Sequence, residues 1–390
     1  MNAPVSSTTF ESAFVRGQTL PQLPPPADMR PALPLRLLRI YFGTPGDAAI
    51  TIACILLLAW TLPPLIQWAL INATWTGSAA TCRESGGACW SFIREKFWFS
   101  VFGLYPFELR WRPGLVLVIF AAMVAVSTQQ RFWGLRLIGA WVAALVLMWT
   151  LMGGSVPILS ALPLVGGAFD LLAPVPTRLW GGWLVTIFLA VFGLAVAYPI
   201  GIMLALGRRS DRPFVKFVCV CWIEFIRGVP LISLLFIATF IVPLFMPTGV
   251  EIDRLIRAQI AFIMFAAAYL AEVFRGGLQA IPKGQYEGAD SLGLNFGQKM
   301  RLIVLPQALK ITIPAQVNTF IGLFKDTTLV LIIGIFDFFT TLRSALGDSN
   351  WLGFATEAYL YAAGVYFVCC YAMSRYSQKL EKTLSAGQNR

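Results

Sequence analysis

Residues 282–306 read Pro-Lys-Gly-Gln-Tyr-Glu-Gly-Ala-Asp-Ser-Leu-Gly-Leu-Asn-Phe-Gly-Gln-Lys-Met-Arg-Leu-Ile-Val-Leu-Pro, a polar island in a chain otherwise dominated by apolar runs. Pro282 suits the first position of a short helix, where a missing N–H is harmless. Gly293 can close that helix in the left-handed conformation that a side chain resists. Asn295, with Gln298 three residues on, reads as a capping box opening a second helix. Pro306 ends that helix or begins the next. The stretch therefore predicts a compact helix-turn-helix between apolar segments, a surface shaped to be gripped by another molecule.

Outward from this island the chain is 57% hydrophobic and only 13% charged over 390 residues, with a mean hydropathy of +0.72. Soluble domains of this length carry about a quarter charged residues, and several runs here approach or exceed the roughly 20 residues that cross a bilayer as a helix. The fold class is an all-α polytopic membrane protein; the runs lack the alternation of a transmembrane barrel. A net charge of +11 points to basic cytoplasmic loops rather than to nucleic acid. The chain has no histidine, which removes histidine-based acid/base work, Ser-His-Asp triads and histidine-held metals. No phosphate loop of the form G-x-x-x-x-G-K-[ST] is present either. No catalytic residue and no metal ligand is expected.

Residues 1–46 lack a long apolar run, and Pro21 to Pro34 reads as a disordered tail. Eight spans are expected, near residues 48–71, 114–126, 133–152, 179–206, 217–245, 259–274, 311–336 and 355–373. Pro63 and Pro64 are expected to kink the first span, and Pro230 lies within the fifth. Basic clusters follow spans 2, 4, 6 and 8, and Arg30, Arg36 and Arg39 precede span 1, so both termini and residues 282–306 fall on the cytoplasmic side. Between spans 1 and 2 an aromatic-rich loop carries Cys82 and Cys89, a candidate disulfide if the loop faces an oxidising space. The Pro/Gly-rich segment 153–176 marks a boundary between an extension of three spans (47–178) and a core of five (179–376), before a tail at 377–390. Glu251, Asp253, Arg254 and Arg257 read as a balanced outer loop.

Glu287-Gly288-Ala289, then Gly293, then nine residues to Ile303-Val304-Leu305-Pro306 resembles the E-A-A-x-x-x-G-x9-I-x-L-P loop of ABC-importer permeases, with Gly288 in place of the first alanine. The segments 225–231 (Phe-Ile-Arg-Gly-Val-Pro-Leu), 268–277 (Ala-Tyr-Leu-Ala-Glu-Val-Phe-Arg-Gly-Gly) and 323–329 (Leu-Phe-Lys-Asp-Thr-Thr-Leu) look like the polar-amino-acid permeases of the histidine/glutamine group. The likeness covers roughly residues 180–380, and the N-terminal block is similar to the M-type permeases of general L-amino-acid transporters. The resemblance implies a type I importer core whose loop docks in a cleft of an ATPase subunit. It also implies a second, homologous permease forming a heterodimer, two ATPase subunits that hold ATP and Mg, a periplasmic amino-acid-binding protein, a bacterial inner-membrane location and no cofactor in this chain. Within that loop, small Gly288 and Ala289 would admit a partner surface, and Glu287 would meet one of its cations.

Two sets of charges lie at or within the apolar runs. Glu224/Arg227 and Glu272/Arg275 repeat E-x-x-R-G, so each pair can meet at i,i+3 on a helix face. They serve either local neutralisation at the interface or a cytoplasmic gate that steadies the loop. Lys325-Asp326 interrupts a span, and such groups face a protein interior or a watery path; a structural ion pair and a substrate-path role both fit. The rival functions are an ion-gradient-driven secondary amino-acid transporter, which has no use for the docking loop, and a channel or membrane-embedded enzyme.

Overall fold

Apolar spans with polar punctuation give an all-helical chain in the computed structural model, which describes residues 33–154, 172–247, 249 and 251–385. The Pro-rich tail up to residue 32 and residues 155–171 of the Pro/Gly-rich segment lie outside the described residues. Contacts divide the chain into two units between Ile71 and Asn72.

In the first unit, α1 (Leu33–Phe42) occupies part of the stretch expected to be disordered. Its leucines and aromatics recur with few breaks, enough apolar side chain to favour a helix over an extended tail. Helix α2 (Pro45–Ile66) starts at Thr44, whose hydroxyl accepts from the Asp47 N–H at 3.1 Å, with Pro45 in the first turn. The helix runs through Pro63 and Pro64 and widens into a π turn at Gln67–Ile71.

The second unit begins with the cysteine loop, α3 (Ala79–Ser85) and α4 (Trp90–Phe102), followed by α5 (Trp111–Ser127) and α6 (Leu135–Gly153). Cys82 and Cys89 are joined in a disulfide with Cα atoms 5.4 Å apart. The loop does not stand off as part of a separate extension. Its Cys89 N–H donates to Glu357 Oε1 at 3.0 Å, Arg83 donates to the Asn350 carbonyl at 3.1 Å, and Glu95 accepts from the Trp351 indole at 2.9 Å. Lys96 meets Asp348 at 2.6 Å, and that hydrogen bond holds the Asp348 carboxyl below its ordinary range. These contacts tie the cysteine loop and α4 to residues 348–357 within the same unit.

The core consists of α7 (Trp183–Arg208), α8 (Pro213–Gly228), α9 (Leu231–Phe236, continued as π and 3-10 turns to Phe245) and α10 (Arg254–Ala280). It continues through the 282–311 region to α14 (Ile313–Asp326, with a 3-10 extension to Ile333), then α15 (Phe338–Ala345) and α16 (Ala355–Ser385). Its central seam is made of small residues. Gly193, Ala197, Gly201 and Ala205 recur every fourth position on α7; Gly193 faces Gln259 and Phe262 of α10, and the other three pack in a cluster with Ala266, Ala267, Leu270 and Ala271. A Cβ on Gly201 would lie 2.9 Å from Leu270 Cβ and 3.1 Å from the Ala267 carbonyl oxygen, so the backbones approach where only glycine fits.

Six helices among the described residues are long and apolar enough to cross a membrane, and the pair α8/α9 counts as a seventh crossing if taken together. That pair corrects the expected single fifth span, because its halves meet at 100°. Val229 precedes Pro230 and is extended (φ −104°, ψ 130°), the conformation a following proline imposes. At the eighth position α16 is 31 residues long but tyrosine-rich and less apolar. It also carries Arg375, Lys379 and Lys382, the basic residues after the expected end of span 8, and runs out to Ser385. Span 6 is longer than expected: Asp253 caps it through the Leu255 N–H at 2.8 Å, so Arg254 and Arg257 lie on the helix and not in an outer loop.

The loops of the second unit sort onto two faces. Residues 72–106, 172–182, 251–253 and 333–354 gather on one, tied by Gly182 N–H to the Phe336 carbonyl at 2.9 Å and by a Thr177–Asp253 hydrogen bond. Residues 207–213 and 275–311 gather on the other, where Arg209 donates to the Leu278 carbonyl at 2.9 Å.

Candidate functional site

The polar island folds as α11 (Lys283–Ser291), a turn, α12 (Phe296–Lys299, with a π turn at Met300–Val304) and α13 (Leu305–Ile311). Pro282 takes the capping position one residue before the helix, and Gly293 closes α11 at φ +69°. The closure is a Schellman arrangement: Gly293 N–H reaches the Asp290 carbonyl at 2.9 Å and Leu294 N–H the Ala289 carbonyl at 3.2 Å. Both halves of the Asn295/Gln298 capping box form, at 2.9 and 3.0 Å. Pro306 sits in the first turn of α13, directly after the π turn. Asp290 and Lys299 pair across the turn, which fixes the two helices against each other.

One side of this unit faces the core. Ala289 and Val304 are buried, Ile303 and Leu305 half-buried, and Ala308 lies beneath them. Ala289 therefore does not offer its small side chain to a partner as expected; it fills the inner face of α11. The outward side carries Glu287, Gly288, Gly293 and Pro306. A Cβ on Gly288 or Gly293 would meet nothing within 4 Å, so both leave open space for another surface. Beside them stand Leu292, Phe296 and Leu302, at 74%, 59% and 63% exposure. These apolar groups were missed in the sequence, although three of them on an otherwise polar island are the signature of a contact patch.

Behind the patch lies a charge cluster that joins three helices. Glu272 on α10 accepts from Arg275 of the same helix at 3.0 and 3.1 Å and from Arg208 of α7 at 2.7 Å, and Arg227 of α8 lies 3.6 Å away. Glu224 also pairs with Arg208, at 2.7 Å. The expected Glu272/Arg275 pair is thus present, whereas Glu224 and Arg227 turn from each other to partners on other helices. Arg208 is the member that sequence spacing did not reveal. Its neighbour Arg209 extends the cluster to the patch, donating to Tyr286 Oη at 3.1 Å and stacking 5.6 Å above that ring. Tyr286 donates in turn to the Leu278 carbonyl at 3.1 Å.

Lys325 and Asp326 lie apart from this cluster, where α14 tightens into its 3-10 extension. No ion pair joins them, and exposed Lys325 borders a cavity of about 290 Å3 with Phe339, Tyr359 and Tyr366. Among the described residues no group of side chains could hold a metal ion.

Residues 197–384 match the family described as binding-protein-dependent transport system inner membrane component. The chain is 46% identical over 354 residues to the inner membrane amino-acid ABC transporter permease protein YhdY of Escherichia coli (strain K12), covering 89% of this chain and 92% of that protein. It is 36% identical over 434 residues to the glutamate/glutamine/aspartate/asparagine transport system permease protein BztC of Rhodobacter capsulatus, covering 96% and 98%. A shorter relative, the glutamate/aspartate import permease protein GltK of Escherichia coli O157:H7, is 36% identical over 207 residues, 51% of this chain and 91% of that protein. With full-length likeness to two permeases and a core that matches the family, the chain belongs to the binding-protein-dependent ABC-importer permeases of the inner membrane.

Proposed function

We propose that this permease carries L-amino acids of broad range inward, as the M-type member of a heterodimer with a second homologous permease. Two ATPase subunits binding ATP and Mg would supply the energy, and a periplasmic amino-acid-binding protein the substrate. Both termini lie on the cytoplasmic side with the 282–311 patch. The observation that carries this reading is the outward surface of that patch: open glycines, Glu287 and three exposed apolar side chains on a rigidly capped frame. A free helical connection has no reason to display Phe296 and Leu302 to water, whereas a cleft in an ATPase would cover them. The Arg209–Tyr286 clasp then passes motion of the patch to α7, and Glu272 passes it on to α8 and α10.

The test is co-purification with the ATPase and reconstituted uptake. Gly293→Asp costs about 1–2 kcal/mol of backbone strain and Glu287→Arg reverses one surface charge, so both variants reach the membrane. Both are expected to abolish ATP-driven uptake and to weaken ATPase retention. Normal transport by both would overturn the assignment of this surface.

A further inference from the structure

On the face opposite the patch, a polar cleft of about 670 Å3 opens between the start of α7, the start of α10 and the turn after α14. Arg178 from the turn before α7, Glu251 from the segment before α10, and Arg254 and Arg257 from α10 itself line it. Asp253, also at its wall, is committed to Thr177 and to capping α10. Arg257 is anchored on the Thr239 carbonyl at 2.7 Å, while its Nε is buried with no hydrogen-bond partner. Arg254 reaches the Ile333 carbonyl only at 3.4 Å. Arg178 and Glu251 are exposed, and among the described residues neither is ion-paired. Ile252 and Arg257 also border an adjoining apolar cavity of about 180 Å3 lined by Ile237, Val242, Ile260 and Met264.

The geometry points to a binding site for a free α-amino acid in this outer cleft, an inference that rests on the importer reading above. Arg178 and Arg254 would take the α-carboxylate, Glu251 the α-ammonium, and the apolar cavity the side chain. A simple anion matches the arginines but is repelled by Glu251; a zwitterion satisfies both signs. The cavity beside them has no charged group other than Arg257 at its mouth, so it accepts differing apolar chains without selecting one. A phosphatidylethanolamine headgroup carries the same pair of charges, and the experiment must separate the two sources.

The full chain, purified in phospholipid-free detergent, is titrated with L-leucine and L-glutamine. The controls are 4-methylpentanoate (no ammonium), isopentylamine (no carboxylate) and short-chain phosphatidylethanolamine. Saturable binding of an amino acid is expected, weakened about tenfold or more by loss of either charged group from the ligand and by Arg178→Gln or Glu251→Gln. Both side chains are exposed, so unchanged thermal denaturation should accompany the loss. Absence of saturable amino-acid binding, binding unaffected by either variant, or binding of the lipid in preference to the amino acids would each overturn the site. Uptake by the reconstituted importer separates the two readings. Uptake together with variant-insensitive binding removes the cleft and leaves the importer; no uptake with Arg178-dependent binding supports the cleft and removes the importer.

Discussion

Glu272 illustrates how one carboxylate can organise several helices. It has 16% side-chain exposure and receives Arg208, Arg227 and Arg275, so its charge offsets guanidinium groups brought by α7, α8 and α10. Removing one partner from such a cluster costs more than the interaction itself, because the remaining charges stay desolvated. Glu272→Gln keeps the shape and removes the charge, and is expected to destabilise the protein by about 3 kcal/mol. The check is the thermal denaturation midpoint of the detergent-purified chain; an unchanged midpoint would show that the arginines are independently solvated. Arg275 stood three residues along the same helix and was legible from spacing alone. The Arg208–Glu224 pair was not, since its members meet only after α7 and α8 fold back on each other. The same limit explains Ala289: its small size suggested an outward contact, but whether a position on a short helix faces out depends on what lies beneath it.

Helices α7 and α10 depend on a different economy of contact, that of small side chains. Water-driven burial does little between helices surrounded by lipid, so close backbone approach and dispersion must hold them. The stripe from Gly193 to Ala205 supplies that approach. Gly201→Ala would place a Cβ 2.9 Å from Leu270 Cβ and is expected to cost about 1–3 kcal/mol through overpacking. Gly139→Ala on α6 is the matched control, because a Cβ there meets nothing within 4 Å and alanine favours a helix over glycine. Denaturation midpoints of the two variants should move in opposite directions, and a shared fall would mean that glycine removal harms any helix here. The four-residue repeat is visible in the sequence but gives no sign of its partner. By contrast the caps at Gly293, Asn295 and Gln298 were read correctly, because their chemistry is confined to neighbouring residues. The bend at Pro230 lies between these cases: a proline marks where a helix can break, but the 100° angle is set by packing of α9 on α10 and on the 3-10 turn after α14.

The two faces of the second unit bear on how many times the chain crosses the membrane. Residues 72–106 and 346–357 are joined by Arg83, Glu95, Lys96 and Cys89, so an even number of crossings must separate them. Likewise Ser127, at the end of α5, accepts from Tyr376 Oη at 3.3 Å, so the late part of α16 shares a face with the turn after α5. For α16 to start beside the cysteine loop and end beside Ser127 it must itself cross, despite its tyrosines and lower hydropathy. Apolarity judged helix by helix misses this, since Ala358 and Ala362 are buried against the protein, Tyr366 packs with Phe324 and Phe338, and Tyr361 packs with Phe338. The five crossings α5, α6, α7, α8/α9 and α10 then place the 282–311 patch opposite the disulfide loop. Single cysteines at exposed Glu84 and Gly293, in a background with Cys54 and the other free cysteines replaced, provide the test. With a membrane-impermeant maleimide, the Glu84→Cys variant should label in right-side-out spheroplasts, and the Gly293→Cys variant only in inverted vesicles. Labelling of both from the same side would break the odd count of crossings between them.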